Sequence, residues 1–203
     1  MATSCGKIKK NQLYNSCNRI FGGVEAVLYL FNRDDIAGYV RDAVNPNIIR
    51  GITMKAQAKG FRYEGYNKSV KPTSTGVKKE FGYSWRHSIN FLILANSSDV
   101  KQEVEAISLG EYVAVIINKQ KTNDAAIEIF GTDQGLSLGD GALKDYQEAT
   151  MEGAYQLTIA NSEGSEEPHL PASFAVLTDD ETPVYSYIDS ITALEALITP
   201  VAA

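Results

Sequence analysis

Apolar residues in this chain come in short alternating runs closed by turn signals, and a period of two commits such runs to strands. Val24–Asn32 places Val24, Ala26, Leu28 and Leu30 on one face and stops at Asn32-Arg33-Asp34-Asp35. A second strand, Ile48–Gln57, follows Asn45-Pro46-Asn47, and Ala58-Lys59-Gly60 reads as a tight connection to a third, Phe61–Tyr66. Asn67–Gly76 (NKSVKPTSTG) has turn chemistry and no apolar period. It is expected to be a loop, long enough to mark function or disorder and open to shortening at little cost. Val77–Ala95 is a long strand expected to bend near Ser84–Ser88, and its first part, Val77–Tyr83, would pair across that loop with Phe61–Tyr66 as an extended hairpin. Shorter strands are expected at Tyr112–Asn118, Ala125–Phe130, Ala154–Ala160, Ala172–Leu177 and Val184–Ile188. Gly131–Gly141 reads as loop, and Asn161–Pro168 as an acidic, exposed stretch.

One segment has helical period. In Asp99–Leu109, Val100, Val104, Ile107 and Leu109 share a stripe; Ser97, Ser98 and Asp99 offer capping side chains, Asp99 with Gln102 has capping-box spacing, and Gly110 fits a C′ position. Ser190–Thr199 fits either a short helix or a final strand. The expected fold class is therefore mainly β: two packed sheets as a sandwich or barrel, one flanking α-helix, and a long protruding loop or hairpin. Residues 1–22 read as a basic N-terminal arm and 23–203 as one β-rich domain.

Composition bounds the function classes. With 44% hydrophobic and 22% charged residues in 203, the chain has the makings of a buried core. No stretch approaches the ~20 apolar residues of a membrane span, so no membrane partner is expected, and no hydrophobic run follows the basic start as a signal peptide would require. Two cysteines, Cys5 and Cys17, make no disulfide framework, and a reducing compartment is the plain reading. Charge is unevenly spread: residues 1–90 hold 15 Lys+Arg against 6 Asp+Glu, while residues 91–203 hold 4 Lys against 19 Asp+Glu. Either interleaved strands mix the signs, or the molecule carries complementary faces suited to head-to-tail packing and sensitive to salt.

Catalytic constellations do not emerge. There is no Walker A sequence, G-x-G-x-x-G, H-E-x-x-H or G-x-S-x-G. His87 lies in a strand and His169 in a proline-flanked loop, and the carboxylate groups Asp34-Asp35, Glu163–Glu167 and Asp179–Glu181 lack the ligand spacing of a calcium loop. No enzyme, metal or cofactor is expected. The candidate functional residues are instead contacts between copies: basic Lys68, Lys71, Lys78 and Lys79 in or just after the long loop, and acidic Glu163, Glu166, Glu167, Asp179, Asp180 and Glu181 in turns elsewhere. A basic loop of one copy would dock on an acidic surface of the next.

Several phrases resemble phage tail tube proteins of the kind found in Bacteroidetes phages and prophages. They are Cys17 and Gly22-Gly23 before the first strand, Asp99–Leu109 leading into Glu111–Asn118, Ile127–Leu138 (IEIFGTDQGLSL), and Gly153–Ala160 (G-x-Y-x-L-T) followed by an acidic loop and Pro168. The resemblance implies two β-sheets with a flanking helix and a protruding loop or hairpin. It further implies hexameric rings whose inner sheets join, stacked into a tube that conducts DNA without binding it specifically. The partners implied are copies of the same chain and other tail or neck proteins, in a virion assembled in the host bacterial cytoplasm. Two rivals stand beside it: another virion structural protein, such as a capsid decoration or tail completion protein, and a carbohydrate-binding β-sandwich whose tyrosines line a groove.

Overall fold

The computed structural model describes residues 22–80, 82–140, 144, 153–178 and 184–199. Most of the arm expected over 1–22, both cysteines, and Asp179, Asp180 and Glu181 lie outside the described residues. The strands are β1 (Val24–Asn32), β2 (Ile36–Arg41), β3 (Ile48–Met54), β4 (Phe61–Glu64), β5 (Lys71–Lys79), β6 (Gly82–Ile93), β7 (Tyr112–Asn118), β8 (Ile127–Phe130), β9 (Ser137–Leu138), β10 (Tyr155–Ala160), β11 (Ala172–Phe174), β12 (Val176–Leu177) and β13 (Tyr185–Ser186). Among the described residues, two α-helices, α1 (Ser98–Ile107) and α2 (Tyr187–Glu195), accompany the strands.

Two main sheets pack as a sandwich. The larger has the order β2-β3-β11-β8-β7-β1-β4, the smaller β5-β6-β10-β9, and β12-β13 form a separate ribbon. Alternation assigns the faces. Leu28, Leu30, Ala114 and Ile116 point from the large sheet toward Ile89, Phe91, Leu157 and Ile159 of the small one, with Val104 and Ile107 of α1 in the same core. Tyr29, Phe31, Val113, Val115, Ile127 and Ile129 point the other way, into a second core closed by Leu194 of α2 and Ile198. The centre of the large sheet is thus buried on both sides. That is why Tyr112–Ile117 is a continuous apolar run, all buried, whereas β10, with one face covered, alternates buried and half-buried residues.

Local chemistry explains the joints. Ser97 caps α1, its hydroxyl accepting from the Val100 N–H at 3.3 Å, so the helix starts one residue before the expected Asp99 and the Asp99–Gln102 spacing is not its capping box. Leu109 is 90% exposed and falls outside the stripe. Gly110 is needed not as a left-handed cap but because a Cβ there would strike the Tyr112 ring, whose hydroxyl donates to Ala106 O at 3.2 Å. In Ile127–Leu138, Gly131 (φ 77°) and Gly135 (φ 76°) turn the chain left-handedly and deliver Leu136, fully buried, to the core. Ser190–Thr199 resolves toward helix, because Ser186 caps α2 and buried Leu194 faces the second core.

The main correction concerns Asn67–Gly76. Only a turn closed by Ser69 N–H to Tyr66 O lies at its start; Lys71–Lys79 is strand, paired residue by residue with Gly82–Asn90. Phe61–Glu64 pairs with β1, not with Val77–Tyr83, so the extended hairpin is β5–β6, and the expected Val77–Ala95 strand is divided between β5, which ends at Lys79, and β6, which begins at Gly82. The misreading has a physical cause. KPTSTG carries no apolar period because β5 is an edge strand of mostly exposed residues, held by backbone pairing with β6 and by the side-chain contacts of Thr73 and Ser74 to Ser88 and His87. Strand β2 went unforeseen because register shifts between Ile36 and Gly38 and between Val40 and Arg41 break its alternation.

Candidate assembly surface

Strand β10 accompanies β6 only from Ser88 to Ile93. Beyond that, Ser74–Lys79 and Gly82–His87 run on as a two-stranded arm. Tyr83 folds over Gly76, where a Cβ would collide with its ring, and meets Trp85 edge-on at 5.4 Å between centroids. A bare hairpin is only marginally stable in water, so the arm needs anchors. Among the described residues no strand pairs with the outer side of β5.

The anchors are two adjacent carboxylates. Glu166, buried although the sequence reads as an exposed turn, receives Lys79 Nζ at 2.6 Å on one oxygen and Arg86 Nη2 at 2.8 Å on the other. These two cations hold its pKa at about 2. Glu167, 2% exposed, faces the opposite way: its carboxylate accepts from the backbone N–H of Gln134 at 2.9 Å and of Asp133 at 3.2 Å. Burial pushes its pKa up, against the pull of those N–H groups. Its own backbone exchanges two 2.8 Å hydrogen bonds with Trp85. The arm is thereby fastened to residues 131–136 through one dipeptide.

A second tie lies one step inward. Asn161, also buried, accepts from the His87 N–H at 2.8 Å and donates through Nδ2 to Gly135 O at 2.8 Å. The His87 ring is 1% exposed, edge-on to Phe130, with Nε2 3.1 Å from His169 O and Nδ1 2.9 Å from Ser74 Oγ. A carbonyl can only accept, so Nε2 carries the proton and Nδ1 accepts from the Ser74 hydroxyl. Burial lowers the His87 pKa, which keeps the ring neutral. Ser74 and His87 are direct cross-strand partners, and their contact closes the base of the arm.

Near the start of β5 a pocket of about 490 Å³ opens between the sheets. Its lining includes Val24, Val70 and Pro72 together with Lys68, Lys71 and Lys119. Lys68 is held there at φ 63°.

The structure therefore separates the expected contact residues. Lys68 and Lys71 share the pocket, Lys78 is exposed opposite Tyr83, and Glu163 is exposed in the turn 162–165. Lys79 and Glu166 meet each other within one chain, and the Glu167 carboxylate accepts from backbone N–H groups. Trp85, Arg86, Asn161 and Lys119 were missed. The lone tryptophan beside an arginine in a strand was the one available signal. Among the described residues no group of three His, Cys, Asp or Glu side chains is placed to hold a metal, and no helix is long and apolar enough to cross a membrane. No protein-family model, curated protein or solved structure matches the chain.

Proposed function

We propose that this chain is a structural subunit of a phage tail tube, closing into rings through the edges of its smaller sheet. The observation that carries the reading is edge strand β5, nine residues long and without a neighbour on its outer side among the described residues. Such an edge is a template for another strand, and soluble proteins usually shorten, cover or charge it. Here Lys71, Lys78 and Lys79 are the only charges along nine residues, and Lys79 is already paired. The opposite edge is the two-residue β9. Joined edge to edge, the small sheets of successive copies make a closed wall with its apolar face turned into each sandwich.

The other face of that sheet also supports a conduit. It presents Lys71, Thr73, Thr75, Ser88, Asn90, Gln156 and Thr158, with Asn90 Nδ2 donating to Thr158 Oγ1 at 2.9 Å. Glu166 masks two of its cations, and phosphate affinity comes mainly from free Lys and Arg. Electron microscopy of the purified protein tests the reading: rings or tubes are expected, and a monodisperse monomer at high concentration overturns it. Exposed Tyr83, edge-on to half-buried Trp85, favours a second reading, a carbohydrate-binding sandwich, which glycan binding by that monomer would support.

A further inference from the structure

Hydrogen bonds made by β6 reveal which residues of β5 face the open edge. His87 and Trp85 direct their backbone groups away from β5: the His87 N–H donates to Asn161 Oδ1, its C=O accepts from the Asn161 N–H, and Trp85 exchanges backbone bonds with Glu167. Their partners across the ladder, Ser74 and Gly76, are therefore non-hydrogen-bonded pairs and turn their own N–H and C=O outward. The same alternation puts Pro72 and Lys78 on the open side, and Pro72 has no N–H to offer there. On β9, the Gly139 N–H donates inward to Thr158 O at 2.8 Å, which leaves Leu138 as the residue whose backbone faces out.

Register then limits how the two edges can meet. Pro72, Ile89, Ile159 and Leu138 lie in one row straight across the four strands, so a copy contributes no stagger of its own along that row. A closed wall of tilted strands needs stagger: in an eight-stranded barrel a shear of about 8, one residue per strand, gives a tilt of about 36°. Four strands per copy therefore call for a shift of about four residues at each junction, whatever the number of copies. Only the direction toward the arm has strand to receive it, because β5 begins at Lys71. Four residues on from Pro72 stands Gly76, one of the outward-facing set. We propose that Leu138 of one copy pairs with Gly76 of the next, and that its side chain rests against the Tyr83 ring lying over that glycine. Leu138 packs on the core between the sheets, and Gly76 shares a face with Ser74, the partner of buried His87, so both belong to the side turned into the sandwich. A Cβ on Gly76 would strike Tyr83, whose ring is 57% exposed in the single chain. Shifts of two or six residues reach Ser74 or Lys78 but give roughly half or one and a half times that shear. An unshifted junction sets Leu138 against Pro72, where the donor is missing. This inference rests on the edge-joined assembly proposed above and supplies its register.

Cysteine pairs read the register. With Leu138 opposite Gly76 in antiparallel strands, Ser137 comes opposite Val77 at the Cα separation of about 4.5 Å of a non-hydrogen-bonded pair, within reach of a disulfide. Inside one copy these two lie on opposite edges of the sheet and cannot link. In a chain carrying Cys5→Ser and Cys17→Ser, Ser137→Cys with Val77→Cys should oxidise to a ladder of covalent multimers on a non-reducing gel. Ser137→Cys with Thr73→Cys or Thr75→Cys should stay monomeric, because each is at least one two-residue step, about 7 Å along the strand, off register. Gly139→Cys with Thr75→Cys, the pair on the other side of Leu138, reads the same register independently and should also link. Electron microscopy under reducing conditions checks that each variant forms rings. If rings form and Ser137→Cys links to Thr73→Cys or Thr75→Cys instead, the register is wrong while edge joining stands. Rings in which none of these pairs links overturn edge joining itself. A wild-type chain that never assembles overturns both readings.

Discussion

Lys79 and Glu166 meet at 2.6 Å, joining the tip of the β5–β6 arm to the connection between β10 and β11. Arg86, on the facing strand, holds the other carboxylate oxygen, so one buried side chain spans both strands of the arm. Its replacement by glutamine should loosen the arm without unfolding the sandwich. Glu166→Gln is expected to cost about 1–2 kcal/mol, the range for losing a charge-assisted hydrogen bond whose cationic partners still reach water. Hydrogen exchange should rise at 74–79 and 82–87 and stay unchanged in β7. Equal exchange in variant and wild type would mean that the carboxylate does not anchor the arm.

The same residue sets an acid window. Its folded pKa is depressed to about 2 from an ordinary 4.5, so its contribution is complete above 4.5 and is lost as pH falls toward 2. Glu167 works in the opposite direction: its raised pKa favours the folded state at low pH and opposes it as pH rises through the folded value. Urea unfolding between pH 5 and 2 should therefore fall less steeply for Glu166→Gln than for wild type. Parallel curves would count against the clamp.

A separate window belongs to His87. Burial depresses its folded pKa below 6.5, so stability should be highest above pH 6.5 and decline below it, as the unfolded chain takes up a proton that the folded chain refuses. His87→Asn loses the Ser74 and His169 contacts and should be less stable at every pH, but with a flatter profile between pH 7.5 and 5. An unchanged slope in that interval would place the titrating group elsewhere.

Val104, 4% exposed, lies where α1 meets the core between the sheets. Val104→Asp should lose about 2–4 kcal/mol, the cost of burying a carboxylate with no partner. An unshifted thermal melt would remove α1 from the core.

Shortening residues 68–75 to a two-residue turn separates loop from strand. A loop there would tolerate the deletion and leave a folded monomer. Because Lys71–Thr75 pairs with Arg86–Asn90, the deletion instead removes over half of β5 and the Ser74 partner of His87. The expected product is destabilised and prone to aggregate through the newly bared edge of β6. A monomer with wild-type melting would restore the loop.

Sequence alone determined whatever depends on a period within one element. Alternation in Tyr155–Ala160 named the buried face of β10, the unbroken run in Tyr112–Asn118 belongs to a strand covered on both sides, and spacing placed Val104 and Ile107 on the inner stripe of α1. These residues reach the core through local geometry. Tertiary structure decided whatever depends on a partner distant in the chain. Lys71–Lys79 is strand only because β6 lies beside it, and a covered edge would have shown an apolar period that an open one lacks. Glu166 and Glu167 sit in an acidic, glycine-containing turn that locally reads as solvated. Burying them becomes favourable only where Lys79, Arg86 and the backbone of residues 133–134 converge on their oxygens, because a carboxylate leaves water only for partners of comparable strength.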